Sequence, residues 1–327
     1  MLYSPGLVEI SVVVPVYNEE ENLDALFGRL LSVLDGLDKS YEIVCVNDGS
    51  RDNTLAGLLD YHYRYPSIKV VNLSRNFGKD IAMTAGIDYA RGLAVIPIDA
   101  DLQDPPELIA EMVEKWREGY DVVYASRRER NGETWLKRFT AGAFYKIINK
   151  VSDFPIPPNT GDFRLLDRQV VESLKKMPER NRFMKGLFAW VGYKQTAIFF
   201  DRQPRHLGQT KWNYWKLWNF ALDGITSFSF LPLKVWTYVG FSIACPALLY
   251  ALFLIARTIV FGIDVPGYAS TMVAVLFLGG IQLLTLGIIG EYIGRVYEEV
   301  KGRPLYLVRD RYGFEPSEVL REEVYQR

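Results

Sequence analysis

Two long stretches of this chain carry no charged side chain. Residues 235–256 read VWTYVGFSIACPALLYALFLIA, and residues 268–290 read YASTMVAVLFLGGIQLLTLGIIG. About 20 apolar residues in a helix cross a hydrocarbon layer about 30 Å thick. Helices in the core of a water-soluble protein rarely run so far without a charge. Both stretches therefore read as membrane spans, about 235–257 and 268–290; the competing reading is a pair of buried core helices. Pro246 and the Gly279–Gly280 pair are tolerated in membrane helices, where neighbours satisfy the backbone groups they free.

Charge asymmetry orients the pair. The connector at 257–267 holds one cation, Arg257, whereas the flanks hold Lys211, Lys216 and Lys234 on one side and Arg295, Lys301, Arg303 and Arg309 on the other. The positive-inside bias predicts a hairpin with a short external turn and both termini in the cytoplasm. The first ten residues, MLYSPGLVEI, lack the basic and apolar regions of a signal peptide, so the preceding domain is expected to fold in the cytosol. Just before the hairpin lies KWNYWKLWNFALDGITSFSF. At ~100° per residue, Trp212, Trp215, Trp218, Leu222 and Ile225 fall within an arc of about 140°. Tryptophan favours the headgroup boundary, so residues 211–230 are expected to form an amphipathic helix lying on the membrane surface.

The formal net charge of −1 gives no overall pull towards nucleic acid. The two cysteines, Cys45 and Cys245, sit in apolar runs and do not suggest a disulfide framework. With two histidines, His62 and His206, a histidine-based zinc site is not expected.

Residues 1–210 have a different texture. Apolar, β-branched runs at 9–16, 41–47, 68–74, 93–98 and 121–126 read as strands. Helical patterns occupy 19–37, 51–65, 79–91 and 105–118 between them. Continuous apolar strands alternating with helices predict an α/β domain with a mostly parallel sheet covered on both faces. Pro97 sits awkwardly there, because it deletes a ladder donor from a strand that otherwise reads as central. Ligands bind at the carboxyl ends of such strands. The residues there, PVYNEE, VNDGS, SRNFGK and IDADLQD, are the polar ones. No glycine-rich dinucleotide fingerprint or P-loop is present.

The densest chemistry lies in VIPIDADLQDPPE, residues 95–107. Crowded carboxylates at a strand end are costly unless a cation offsets them. If strand geometry continues through Asp99 and Asp101, both carboxylates face one cleft. Oxygen-only ligands suit Mg²⁺ or Mn²⁺. The spacing alone is weak, since Glu19 and Glu21 share it; its place after a buried strand, with Asp48 at another strand end, strengthens it.

Taken in order, VVVPVYNEEENL, VNDGSRDNT, LSRNFGKDIAMTAGIDYARG, PIDADLQDPPE and NTGDFRLLDRQVV resemble the family 2 glycosyltransferases. With PRHLGQTKW and the hairpin, residues 9 to about 308 resemble the polyisoprenyl-phosphate glycosyltransferases, which include bactoprenol glucosyltransferases and dolichyl-phosphate mannose synthases. The resemblance implies a GT-A-type nucleotide-sugar-binding domain (1–210), the interfacial helix (211–230), the two-helix hairpin (231–295) and a cytosolic tail (296–327), in a bacterial inner membrane. It implies an inverting transfer of a hexose to a lipid phosphate with Mg²⁺ or Mn²⁺. Pro15, Tyr17 and Glu19 would line the nucleoside pocket, Asp48 would bond the base, and Asp99 and Asp101 would hold the diphosphate through the metal, with Gln103 as a further ligand. Asp162 would act near the sugar and acceptor as a base or an orienting group, with Asp101 the other catalytic carboxylate. Arg127, Arg138, Arg205 and Lys211 would engage phosphates.

Plainer roles compete. Tyr17 can be core packing, and Asp48 can cap the next helix. Asp104 before Pro105–Pro106 reads as a helix cap, and Lys79 reads equally as a phosphate contact or an exposed lysine. Arg128, Arg130 and Lys137 read as solvated, and His206 as a bystander. Glucose from UDP-glucose, passed to undecaprenyl phosphate, is the expected reaction. GDP-mannose, UDP-GlcNAc and a UDP-modified arabinose are alternative donors, and a polysaccharide synthase or a non-catalytic membrane partner the alternative functions. Gly279, Gly280, Gly287 and Gly290 permit close helix packing and hence a homo-oligomer.

Overall fold

The computed structural model of the chain describes residues 8–128, 160–200 except 178, 181 and 183, 231–261, and 267–314. It divides into two units, Met1–Trp218 with Arg303–Arg327, and Asn219–Gly302.

The first unit is an α/β sheet. In chain order it holds β1 (Ile10–Val16), α1 (Leu23–Asp35), β2 (Tyr41–Asn47), α2 (Thr54–Arg64), β3 (Ile68–Leu73), α3 (Lys79–Tyr89), β4 (Ala94–Pro97), α4 (Leu108–Arg117) and β5 (Val122–Arg127). There follow β6 (Thr160–Asp167), α5 (Arg168–Lys175), α6 (Met184–Trp190), β7 (Gln195–Phe200) and, after the hairpin, β8 (Val308–Tyr312). The order across the sheet is β7-β5-β6-β4-β1-β2-β3-β8. β3, β2, β1 and β4 pair in parallel, as do β5 and β7; β6 runs antiparallel to β4 and β5, and β8 to β3.

Hydrophobic burial explains these elements. β1 reads ISVVVPV, and alternate valines face opposite layers. Val12, Val14 and Val16 join one buried cluster with Leu26, Phe27 and Leu30 of α1, Leu58 of α2, and Ile109 and Met112 of α4. Each such side chain contributes about 1.5–3 kcal/mol on leaving water. Val13 faces the other layer, against α3. There Gly86 permits close approach, since a Cβ at that position would lie 2.2 Å from a Val13 methyl.

Pro97 proves compatible with a central strand. Ala94 and Ile98 donate their N–H groups to Glu9 and Val13 of the β1 edge. Alternation therefore points position 97 towards β6, which pairs with β4 only at Ala94 and Val95. No ladder bond is lost.

The second unit is a helical pair, α7 (Leu231–Phe261, 31 residues) and α8 (Tyr268–Val300, 33 residues). At 1.5 Å per residue they are about 46 and 50 Å long, more than the hydrocarbon layer needs. α7 continues through Pro246 and runs to Phe261, four residues past the expected span. Val273–Val300 is long and apolar enough to cross a membrane. Phe241, Leu252, Val273, Leu283 and Leu286 are exposed on these helices, an arrangement that lipid stabilises and water does not. Charge returns at Glu291, which pairs with Arg295 at 3.0 Å, and Glu298 pairs with Lys301 at 3.0 Å. α8 therefore outlasts the expected span by about three turns.

Candidate active site

The parallel strands β1 to β4 send their loops to one end of the sheet. β6 runs the other way, so its first residues, Thr160–Asp162, arrive at that same end. β1 leads one way through β2 and β3, while β4 lies on its other side. That reversal makes a crevice of the kind in which α/β sheets bind ligands.

Hydrogen bonds between loops shape the crevice. Asn18, at φ +53°, receives Arg51 N–H on its side-chain oxygen at 2.8 Å, and its own N–H donates to Ser50 Oγ at 3.0 Å. The Glu19 N–H donates to Thr54 Oγ1 at 2.9 Å, and its carboxylate accepts from Asn22 at 2.6 Å. Pro15 is the next-to-last residue of β1, and Tyr17 follows the strand's last residue, Val16, and is partly exposed. Asp48 is 3% exposed and does not cap α2. Its two oxygens accept from the Phe77 and Gly78 N–H groups at 2.7 and 2.9 Å, tying the loop after β2 to the loop after β3. Burial pushes the Asp48 carboxyl up, against the pull of those two donors. Gly49, at φ +65°, makes the junction possible, since a Cβ there would lie 2.5 Å from the Arg75 and Asn76 backbone.

The acidic segment departs from the extended form expected of it. β4 stops at Pro97, and residues 100–102 turn. Leu102 sits at φ +57° with its side chain buried; such a conformation costs about 1–3 kcal/mol and persists where packing holds it. Asp101 Oδ1 accepts from the Gln103 N–H at 3.2 Å. Alternation along a strand therefore does not relate Asp99 to Asp101. Asp104 does not hold the cap position of α4, which begins at Leu108 after Glu107 and has no side-chain cap bond; Asp104 is buried four residues earlier. Its Oδ2 and Arg127 Nη2 lie 3.8 and 3.9 Å from where a Cβ on Gly161 would stand. That brings Arg127, at the end of β5, beside Gly161, the residue before Asp162.

Lys79 joins the two halves of the site. Its Nζ lies 2.7 Å from Asp99 Oδ1, 2.8 Å from Asp99 Oδ2 and 2.6 Å from Asp162 Oδ2. Partial desolvation of this half-exposed side chain would depress the ammonium, but Asp162 and Asp99 outweigh it and hold it well above the usual lysine range. Burial would likewise raise Asp162; Lys79, Lys185 of α6 and Arg164 override that and hold its carboxyl well below the usual range. Asp80, the next residue of α3, is pushed up to about 7 by burial and by Asp162, against Lys79 and Lys185. Asp80 and Lys185 have no role in the sequence reading, and Lys79 stands there as an equally plausible surface lysine. Its position at the start of a helix, after FG, was the available signal.

Arg138, Arg205, Lys211 and the helix expected at 211–230 lie outside the described residues. Among the described residues no three His, Cys, Asp or Glu side chains form a metal-holding group. The expected set of two carboxylates and an amide nevertheless fits a hard divalent ion. Its donors are all oxygens, and the Gln103 side-chain oxygen is buried with no hydrogen-bond partner. The Lys79 ammonium itself marks the place as one that holds positive charge.

The profile of glycosyl transferase family 2 matches residues 11–175, which include every carboxylate of this site. The chain belongs to that family. Its sheet is of the GT-A type, and residues 231–296 match a second profile, the GtrB C-terminal hairpin, which associates the protein with a membrane. An uncharacterized glycosyltransferase of Synechocystis sp. is 69% identical over 94% of this chain and 97% of its own. A prophage bactoprenol glucosyl transferase homolog of Escherichia coli is 50% identical over 92% of this chain and 99% of its own. The bactoprenol glucosyl transferase of Shigella phage SfII is 48% identical over 94% and 100%.

Proposed function

We propose that this chain transfers glucose from UDP-glucose to a polyprenyl phosphate, undecaprenyl phosphate in a bacterial inner membrane, with inversion at the anomeric carbon. One observation carries the reading. The likeness to bactoprenol glucosyl transferases runs through both the catalytic domain and the hairpin. The enzyme then keeps its catalytic domain and both termini on the cytoplasmic side, where nucleotide sugars are. The hairpin keeps the enzyme in the membrane that carries its lipid acceptor, and glycines of α8 allow homo-oligomers.

The chain's own groups divide the work. Pro15, Tyr17 and Glu19 border the nucleoside, and Asp48 holds the loop beneath it. Asp99, Asp101 and Gln103 would hold Mg²⁺ or Mn²⁺, which when bound neutralises charge growing on the departing diphosphate. Arg127, Arg138, Arg205 and Lys211 hold the lipid phosphate in line behind the sugar. The Arg127 Nε is buried and has no hydrogen-bond partner among the described residues, which suits an incoming phosphate. A phosphate acceptor needs little deprotonation. Asp162, whose carboxylate is engaged by the Lys79 ammonium at 2.6 Å, serves as an orienting anion rather than a base.

Purified full-length protein in detergent, given Mg²⁺ or Mn²⁺, labelled UDP-glucose and undecaprenyl phosphate, should make a labelled chloroform-soluble sugar phosphate. Asp101→Ala and Asp162→Ala should each abolish it. Full activity in either variant removes that residue from the mechanism. Turnover with GDP-mannose or UDP-GlcNAc but not UDP-glucose overturns the donor.

A further inference from the structure

We infer that Lys79 is a built-in competitor for the divalent ion: it occupies Asp99 when the donor is absent and must release that carboxylate before an ion can bind. The inference deepens the metal-dependent reading above and rests on it. The ammonium sits astride Asp99, within 2.8 Å of both carboxylate oxygens. An ion approaching Asp99 meets a like charge at hydrogen-bond distance from each oxygen it would use. The contact is also a reversible one. The Lys79 side chain is 45% exposed and Asp99 30%, against 11% for Asp162. A flexible four-carbon stem in such a setting can leave the more open partner and keep the more enclosed one.

When Lys79 leaves Asp99 it retains Asp162, at 2.6 Å. Its charge then faces the side of the crevice where the sugar and acceptor meet. The device does two things. It prevents Asp99 from standing as an unpaired carboxylate in the empty site, whose cost would otherwise fall on the fold. It also weakens ion binding in the absence of donor, because the ion must displace a bonded ammonium, while a nucleotide diphosphate offers the displaced ammonium a new anionic neighbour. Ion and donor binding are thereby coupled, each strengthening the other, as linkage requires.

The test is Mn²⁺ binding to full-length protein in detergent, read by loss of the free Mn²⁺ electron paramagnetic resonance signal, with and without UDP. Lys79→Met should tighten donor-free Mn²⁺ binding about tenfold and shrink the further gain produced by UDP. Lys79→Arg keeps a cation on Asp99 and should stay within about threefold of the unsubstituted protein. Lys185→Met is the electrostatic control. Lys185 acts on Asp162 and Asp80, and its loss should leave Mn²⁺ binding within about threefold. If Lys79→Met does not fold, Lys79→Gln, which keeps a donor but no charge, should show the same tightening. Equal Mn²⁺ affinity in the Lys79 variants and the unsubstituted protein overturns the competition while leaving the metal site in place, and so does an equal shift in Lys185→Met. Absence of Mn²⁺ binding in every variant, with and without UDP, overturns the metal site itself.

Discussion

Replacing Asp48 with alanine should loosen one loop of the crevice and leave the rest of the sheet intact. The carboxylate accepts two main-chain hydrogen bonds, from Phe77 at 2.7 Å and Gly78 at 2.9 Å. A hydrogen bond to a charged group contributes about 1.5–3 kcal/mol, so the pair amounts to roughly 3–6 kcal/mol. Part of that is returned on substitution, because burial already disfavours the charged carboxylate. A net local loss of about 2–4 kcal/mol remains. At about 1.4 kcal/mol per factor of ten, hydrogen exchange at the Phe77 and Gly78 amides should accelerate on the order of 30- to 1,000-fold. Exchange mass spectrometry on the full-length protein in detergent measures this in the peptide carrying residues 74–82, with β5 as the internal reference. Asp48→Asn keeps one acceptor oxygen and should fall between the two. UDP affinity should drop in parallel. Unchanged exchange at 77 and 78 in a folded Asp48→Ala protein would refute the claim that this side chain holds the loop.

Two further substitutions probe the frame around the site. Asp310 of β8 accepts from Asn72 at 2.9 Å, Asn72 accepts from Asn47 at 2.8 Å, and Asn47 accepts from the Ser50 N–H at 3.3 Å. Asp310→Ala should lower stability by about 0.5–1.5 kcal/mol and speed exchange in β3; an unaltered melting temperature with unaltered β3 exchange counts against the relay. Asp80, held at about 7 in the fold against an ordinary value of 3.8, takes up protons more readily when folded than when unfolded. Stability from this group is therefore present at low pH and is lost as pH rises from about 4 to 7. The melting temperature of Asp80→Asn should gain on that of the unsubstituted protein between pH 5 and 8, and a constant difference across that range would refute the assignment.

What the sequence by itself determined is local. Continuous apolar, β-branched runs placed β1, β2 and β3 within a residue or two, because strands buried on both faces are apolar throughout. Two uncharged runs marked the hairpin, since hydrocarbon excludes charge wherever it stands in the chain. The motif order disclosed the family and put Asp99 and Asp101 at a strand end; that Asp162 arrives at the same end was decided by the antiparallel pairing of β6. Tertiary structure alone decided what those groups touch. Lys79 meets partners 20 and 83 residues away, and no pattern of period two or 3.6 reports on pairs so distant. β8 is five residues, VRDRY, with three charges, and reads as tail; it is a strand because β3, more than 200 residues earlier, leaves an edge unpaired for it. The turn at 100–102 escaped notice for a related reason. A leucine at positive φ is locally unfavourable, and only the core that buries its side chain holds it there.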